Sequence, residues 1–182
     1  MSVLATTALS SAPRSAVRRE TSALGMCLGL TGIAMLFIAL TSAYVVRQGL
    51  DPGWNAIRMP AILPFNTLVL LASGFTMEKA RRAIRPGRWL PATLALGLCF
   101  LALQLAAWRE LSAGGVYLST NAHSSFFYLL TGLHGLHLTG GIFALTYLAV
   151  SRNERWLQAT ALYWHFMDAL WVYLLVLLFG WR

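Results

Sequence analysis

Thr131-Gly132-Leu133-His134-Gly135-Leu136-His137 and Tyr163-Trp164-His165-Phe166-Met167-Asp168 place three histidines and one aspartate inside long apolar runs. An ionisable side chain at the centre of a hydrocarbon layer costs about 2.5–3.5 kcal/mol on insertion scales. Something must offset that cost for each of the four, so they mark where the chain's purpose is to be sought.

The surrounding composition sets the class. Of 182 residues, 58% are hydrophobic and only 11% are charged, whereas a soluble domain carries about 25% charged residues. The apolar residues fall into runs of helix-spanning length, which predicts an all-α integral membrane protein. Five spans are expected, over residues 23–46, 59–77, 89–108, 124–150 and 157–181. Pro60 and Pro64 fall in the first turns of the second, where proline is tolerated. Residues 1–22 form a polar, basic tail ahead of a membrane domain over 23–182. The first apolar run, about 23 residues long, is too long for a signal-peptide core. The short links leave no room for a soluble domain.

The formal charge of +8 does not imply a nucleic-acid partner, because the basic residues lie between the apolar runs and not on one solvated face. Arg14, Arg18 and Arg19 precede the first span; Lys79, Arg81, Arg82, Arg85 and Arg88 separate the second from the third; Arg152 and Arg155 separate the fourth from the fifth. These alternate consistently against Arg47, Arg58, Arg109 and Arg182 on the opposite side. The asymmetry predicts an N-terminus inside and a C-terminus outside; the expected location is the bacterial inner (cytoplasmic) membrane.

At ~1.5 Å per residue, His134 lies ~15 Å and His137 ~20 Å below the outer face, while His165 lies ~12 Å and Asp168 ~16 Å from the inner one. In a ~30 Å core, His134 then sits level with Asp168 and His137 level with His165. Each pair is spaced i, i+3 and shares one helix face. A buried interhelical network of His134, His137, His165 and Asp168 is the favoured reading, with Asp168 accepting from an imidazole N–H. A transition-metal site and a proton relay through His165 and Asp168 are the alternatives. A metal site lacks a glutamate or cysteine beside the four.

Other polar positions read as packing surfaces. Asn66, Thr67, Ser73, Gly74 and Thr76 mark the second span as surrounded by neighbours, and Gln104 does the same for the third. Gly132, Gly135, Gly140 and Gly141 allow close approach to the fourth. Trp54, Trp89, Trp108, Trp156, Trp181 and Tyr117 suit an interfacial aromatic belt. Cys27 and Cys99 read as small buried residues without a ligand spacing. Glu78 with Lys79 and Arg81, and Arg152 with Glu154, read as solvated charges. Arg47, Arg81 and Arg82 lie at headgroup level, so they are candidates for phospholipid contacts as well as topology charges.

Together these stretches resemble subunit III of the haem–copper oxidases. Phe126-Phe127-Tyr128 running into Thr131–His137 and Gly140-Gly141 is similar to that family's sixth helix. Ala161–Asp168 followed by Trp171 is similar to its last. Phe100, Gln104 and Trp108 fit the fifth, Asn66-Thr67 to Glu78-Lys79-Ala80 the fourth, and Ala43-Tyr44 with Arg47 the third. Many members have seven helices, and this chain resembles the last five. The two absent helices form one wall of a lipid-holding cleft in the longer form. The family's buried third-helix glutamate has no counterpart near Gly32-Ile33.

The resemblance implies an accessory subunit of a terminal oxidase (cytochrome c oxidase) in aerobic respiratory electron transport. It implies subunit I as the main contact, subunit II and further respiratory subunits nearby, and haem and copper in those partners. None would be bound here, which suits a chain whose only histidines are His123, His134, His137 and His165. The expected role is to stabilise the catalytic subunit and to support proton uptake. A quinol oxidase or nitric oxide reductase accessory chain, and a small metal or proton transporter, are the rivals.

Overall fold

The computed structural model describes residues 14–51, 54, 57, 59–83, 86–151 and 156–180, with side chains from residue 24 onward except at 86. The tail up to residue 13, together with Arg58, Arg85, Arg152, Glu154, Arg155, Trp181 and Arg182, lies outside the described residues. Helix α1 spans Arg14–Leu50, α2 Ile62–Arg82, α3 Trp89–Ala113, α4 Ala122–Ser151 and α5 Leu157–Leu175. A 3-10 turn, Pro86–Arg88, leads into α3, and a wider-wound turn, Val176–Gly180, continues α5.

Two expectations change at this level. The helix enters the tail, because no proline or glycine interrupts residues 14–24 and alanine, arginine and glutamate favour helix. Among the described residues, four helices are long and apolar enough to cross a membrane: Leu24–Leu50, Trp89–Ala113, Ala122–Ser151 and Leu157–Gly180. Helix α2 has 21 residues, ~31 Å of rise. Its polar positions and charged C-terminal turn keep it out of that group.

The polar residues of α2 point inward. Asn66 Nδ2 donates to Gln104 Oε1 of α3 at 3.1 Å, and Thr76 Oγ1 lies 2.9 Å from Thr93 Oγ1. Trp164 Nε1 of α5 donates to Ser73 Oγ at 3.0 Å, and Trp171 Nε1 donates to Thr67 Oγ1 at 3.1 Å. Both tryptophans are fully buried. They lie two turns apart, on one face of α5.

The surface has the opposite character. Leu28, Met35, Ile38, Phe65, Leu68, Phe75, Leu136, Phe143 and Val150 face outward, while Asn66, Ser73, Thr93, Gln104 and Thr131 face inward. Such an arrangement suits lipid, where apolar surface carries no penalty and polar groups must find partners inside the bundle. Cys27 and Cys99 are exposed on that surface, contrary to the expectation of burial. A thiol behaves as a small apolar group and gains little by burial when the surroundings are hydrocarbon.

The α3–α4 connection is tightly made. Gly115 takes φ +79°, Gly115 N–H donates to Ser112 O at 3.0 Å and Val116 N–H to Leu111 O at 3.0 Å, the paired bonds of a glycine-terminated helix end. Asn121 then caps α4: Ser124 N–H donates to Asn121 Oδ1 at 2.7 Å, and Asn121 N–H donates to Ser124 Oγ at 3.1 Å.

Close approach matters most beside Trp164. A Cβ at Gly97 would stand 2.9 Å from the edge of the Trp164 ring, which is enclosed and cannot yield. Gly97→Ala should therefore destabilise the bundle by about 1–3 kcal/mol. Gly29→Ala, where nothing lies within 4 Å, should stay within about 0.5 kcal/mol of the parent. SDS-induced unfolding of the two variants checks this. Gln104→Leu should cost about 1–3 kcal/mol by leaving the Asn66 amide unpaired, and adding Asn66→Leu should recover part of that loss. Strictly additive losses in the cycle would show that the pair is not coupled.

Candidate functional site

The four buried polar residues expected to form one network divide into two groups. His134 is wholly buried. Its Nε2 lies 3.2 Å from the Met167 carbonyl of α5, so Nε2 carries the proton and donates. The ring lies 5.0 Å from Trp171 and 5.7 Å from Phe100, centroid to centroid. His137 is only partly buried and turns its Nδ1 onto the Leu133 carbonyl of its own helix at 2.8 Å. Its ring edge meets Phe37 of α1 at 5.9 Å. Tyr163 Oη donates to the His137 carbonyl at 2.7 Å, joining α5 to α4 through the backbone.

His165 and Asp168 face α2 instead. The expected His134–Asp168 hydrogen bond is not made, and the reason is rotational. Levels along the two helices match as expected, with residue 134 beside 167 and 137 beside 163. The sequence spacing sets which residues share a face but not which neighbour that face meets. Trp164 and Trp171 occupy the centre of the bundle, which turns His165 and Asp168 toward the α2 side.

There they meet a residue read from sequence as a solvated charge. His165 Nε2 is 3.4 Å from Glu78 Oε2, and His165 Nδ1 is 3.9 Å from Asp168 Oδ2. The His165 side chain is 40% exposed. Asp168 is 7% exposed, with Oδ1 enclosed and unpartnered. Gly74 makes the space: a Cβ there would fall 2.1 Å from Asp168 Oδ2. Glu78 is clasped from below by Arg81, at 2.7 Å through both carboxylate oxygens, and by Arg82. Those hydrogen bonds, Arg81's first, hold its carboxyl well below the usual carboxylate range. The two nitrogens of His165 therefore face carboxylates on opposite sides, which makes a line of groups and not a shell converging on one point. Among the described residues no three His, Cys, Asp or Glu side chains are gathered as a metal site.

Of the basic residues read as headgroup contacts, Arg47 is exposed at the end of α1. Arg81 and Arg82 are also exposed but share Glu78. Glu78 itself could have been singled out from sequence, since Gly74 and Glu78 stand one turn apart on α2.

His123, not singled out by the motifs, is a second enclosed polar point. Its Nδ1 accepts from Ile57 N–H at 3.3 Å and its Nε2 lies 3.1 Å from the Leu178 carbonyl. Tyr44, Trp54 and Phe179 surround the ring. It binds the start of α4 to the end of α5 and to the α1–α2 link. The signal for it was a histidine in the first turn of an apolar helix.

Comparison with known proteins agrees with this architecture. The family profile described as "Cytochrome c oxidase subunit III" matches residues 3–182. The chain is 35% identical over 176 residues to the cytochrome c oxidase subunit 3 of Synechocystis sp., covering 85% of this chain and 73% of that one. It is 32% identical over 192 residues to the probable cytochrome c oxidase subunit 3 of Mycobacterium bovis, covering 95% and 94% respectively. The platypus (Ornithorhynchus anatinus) cytochrome c oxidase subunit 3 is 34% identical over 147 residues, 73% of this chain and 54% of that one. With its inverted polarity, its helices of membrane-spanning length and a match along nearly its whole length, this chain belongs to the cytochrome c oxidase subunit III family.

Proposed function

We propose that the chain is the accessory subunit III of a haem–copper terminal oxidase, seated in the bacterial inner membrane. It stabilises the catalytic subunit and supports proton uptake from the inner side. The observation that carries the reading is the family match over residues 3–182, on a bundle whose buried polar side chains are spent largely on holding helices together. Trp164, Trp171, Asn66, Gln104 and Thr131 all serve helix packing. Helix α2 acts as the fifth span. It passes through the bundle shielded by α3 and α5, which is how a helix with inward polar residues is accommodated in hydrocarbon. The alternation of basic residues puts the N-terminus and the Glu78–Arg82 end of α2 inside.

Subunit I is the main partner and subunit II a further one. Haem and copper belong to those partners, and this chain holds neither. Phospholipid contacts fall to Arg47 on the outer side and to Arg81 and Arg82 on the inner side, the latter two sharing their charge with Glu78.

Purification of the chain from its native membrane in mild detergent tests the assignment. It should elute with a large multi-histidine membrane subunit and show haem bands in a reduced-minus-oxidised spectrum. A solitary, haem-free chain would overturn the accessory role and favour a transporter built on the His165–Asp168 side.

A further inference from the structure

The geometry points to a proton-exchange site made by Glu78, His165 and Asp168, in which Asp168 holds a proton taken from the inner aqueous face through His165, with the Glu78 carboxylate beside the ring steadying the proton on its way. This deepens the proton-uptake role proposed above and rests on that reading for its purpose, though not for its chemistry.

Three observations place the groups in series. Asp168 is more than nine-tenths buried, and its Oδ1 has no partner. An ionised carboxylate so placed lacks the pairing that buried charge requires, and a bound proton removes the charge. His165 stands between Asp168 and the surface, Nδ1 at 3.9 Å from one carboxylate and Nε2 at 3.4 Å from the other. One small rotation, or one water, completes either hydrogen bond. Glu78 stands at the charged end of α2 beside Arg81 and Arg82, where it meets water.

Gly74 is the fourth element. The oxygen nearest His165 lies where a side chain at 74 would stand, so a residue other than glycine there would displace it.

Among the described residues, Arg81 and Arg82 are the charged groups bonded to the line, at its Glu78 end. Helix α1 has no Asp, Glu, His, Lys or Arg between Leu24 and Val46, and α3 has none between Trp89 and Ala107. On α2, Lys79 lies 5.1 Å over the Phe75 ring. On α4, His137 is bonded to the Leu133 carbonyl, and on α5 the Tyr163 hydroxyl donates to the His137 carbonyl.

The transfer balances with hydronium as the proton source. A hydronium ion at the inner face gives up a proton, is left as water, and the proton forms the Nε2–H bond beside the ionised Glu78 carboxylate, 3.4 Å away. The Nδ1–H bond breaks and an O–H bond forms on Asp168 Oδ2. The ring is left neutral with its proton on Nε2, and it returns to its starting form by exchange with water, which its exposure allows. Reversal returns the proton to the surface.

Infrared difference spectroscopy of the intact oxidase tests this. Parent minus Asp168→Asn should reveal one protonated carboxyl band, which shifts promptly on transfer to heavy water. In the His165→Phe complex the band should persist while its exchange slows roughly tenfold or more. In the His165→Gly complex, added imidazole should restore the rate, an effect that a purely structural histidine would not show. Glu78→Gln, a surface change that leaves the bundle intact, should slow the exchange as well. Absence of the band would overturn the site, as would exchange indifferent to His165 and Glu78. Proton uptake by the same samples, followed with a pH-sensitive dye, separates the two proposals. Normal uptake alongside slowed exchange keeps the site and removes its assigned role; impaired uptake in Asp168→Asn with no band in the parent removes the site.

Discussion

A donor inside a bilayer has no water to fall back on, so a buried polar side chain is costly unless its own helix or another one partners it. The pairs Trp164–Ser73 and Trp171–Thr67 meet this constraint at two levels of the α2–α5 interface, with bonds of 3.0 and 3.1 Å. Much else follows from them. Two indoles buried on one face of α5 require small or flat neighbours, and the bundle supplies Gly97 and Gly141 against Trp164 and Phe100 against Trp171. Filling the centre in this way decides the rotation of α5 about its axis. That rotation sends His165 and Asp168 to the α2 side and leaves His134 to bond the backbone at Met167.

The relative level of α4 and α5 was legible in the sequence, and rotation was not. Depth follows from where apolar runs begin and a fixed rise per residue, so the pairing of residue 134 with 167 was anticipated to within about one position. Rotation depends on which face of each helix carries the bulk. The His and Asp residues do not reveal that; the tryptophans beside them do. A tryptophan four residues before Asp168 and another three after it lie on the same side of the helix, and with both indoles at the centre the aspartate falls at the margin of the core. The polar residues of α2 were read as a surface facing other helices, which they are, because four inward polar side chains on one helix have no alternative in hydrocarbon.

Glu78 was legible only in part. As a residue beside Lys79 and Arg81 at the end of an apolar run it reads as an interfacial charge, and its bonds to Arg81 and Arg82 fit that. What the sequence hides is that the last turn of α2 lies against His165 of α5. This contact joins residues 87 positions apart, and no local pattern encodes it. Gly74 was read as a packing residue, and it does permit close approach, but to a carboxylate and not to a helix backbone.

Helix α1 stands apart from the other four in how it is held. Ile33, Phe37, Leu40 and Tyr44 turn toward the bundle, while Leu24, Leu28, Met35, Ile38, Val45, Val46 and Leu50 face outward. Its main contacts run to α4 and α5, and among the described residues Thr31 Oγ1 bonds its own helix at Cys27. Van der Waals contact with a few aromatic rings therefore fixes its position, chiefly Tyr44 against Trp54 and Phe126. In water so much exposed apolar surface would drive association. In lipid it carries no such force, and a neighbouring helix gains only what close packing adds. The four helices α2 to α5 are thus joined by hydrogen bonds specific to their sequence, whereas the described part of α1 meets the bundle chiefly through ring and apolar contacts. This makes it the element whose position responds most readily to whatever lies beside the bundle.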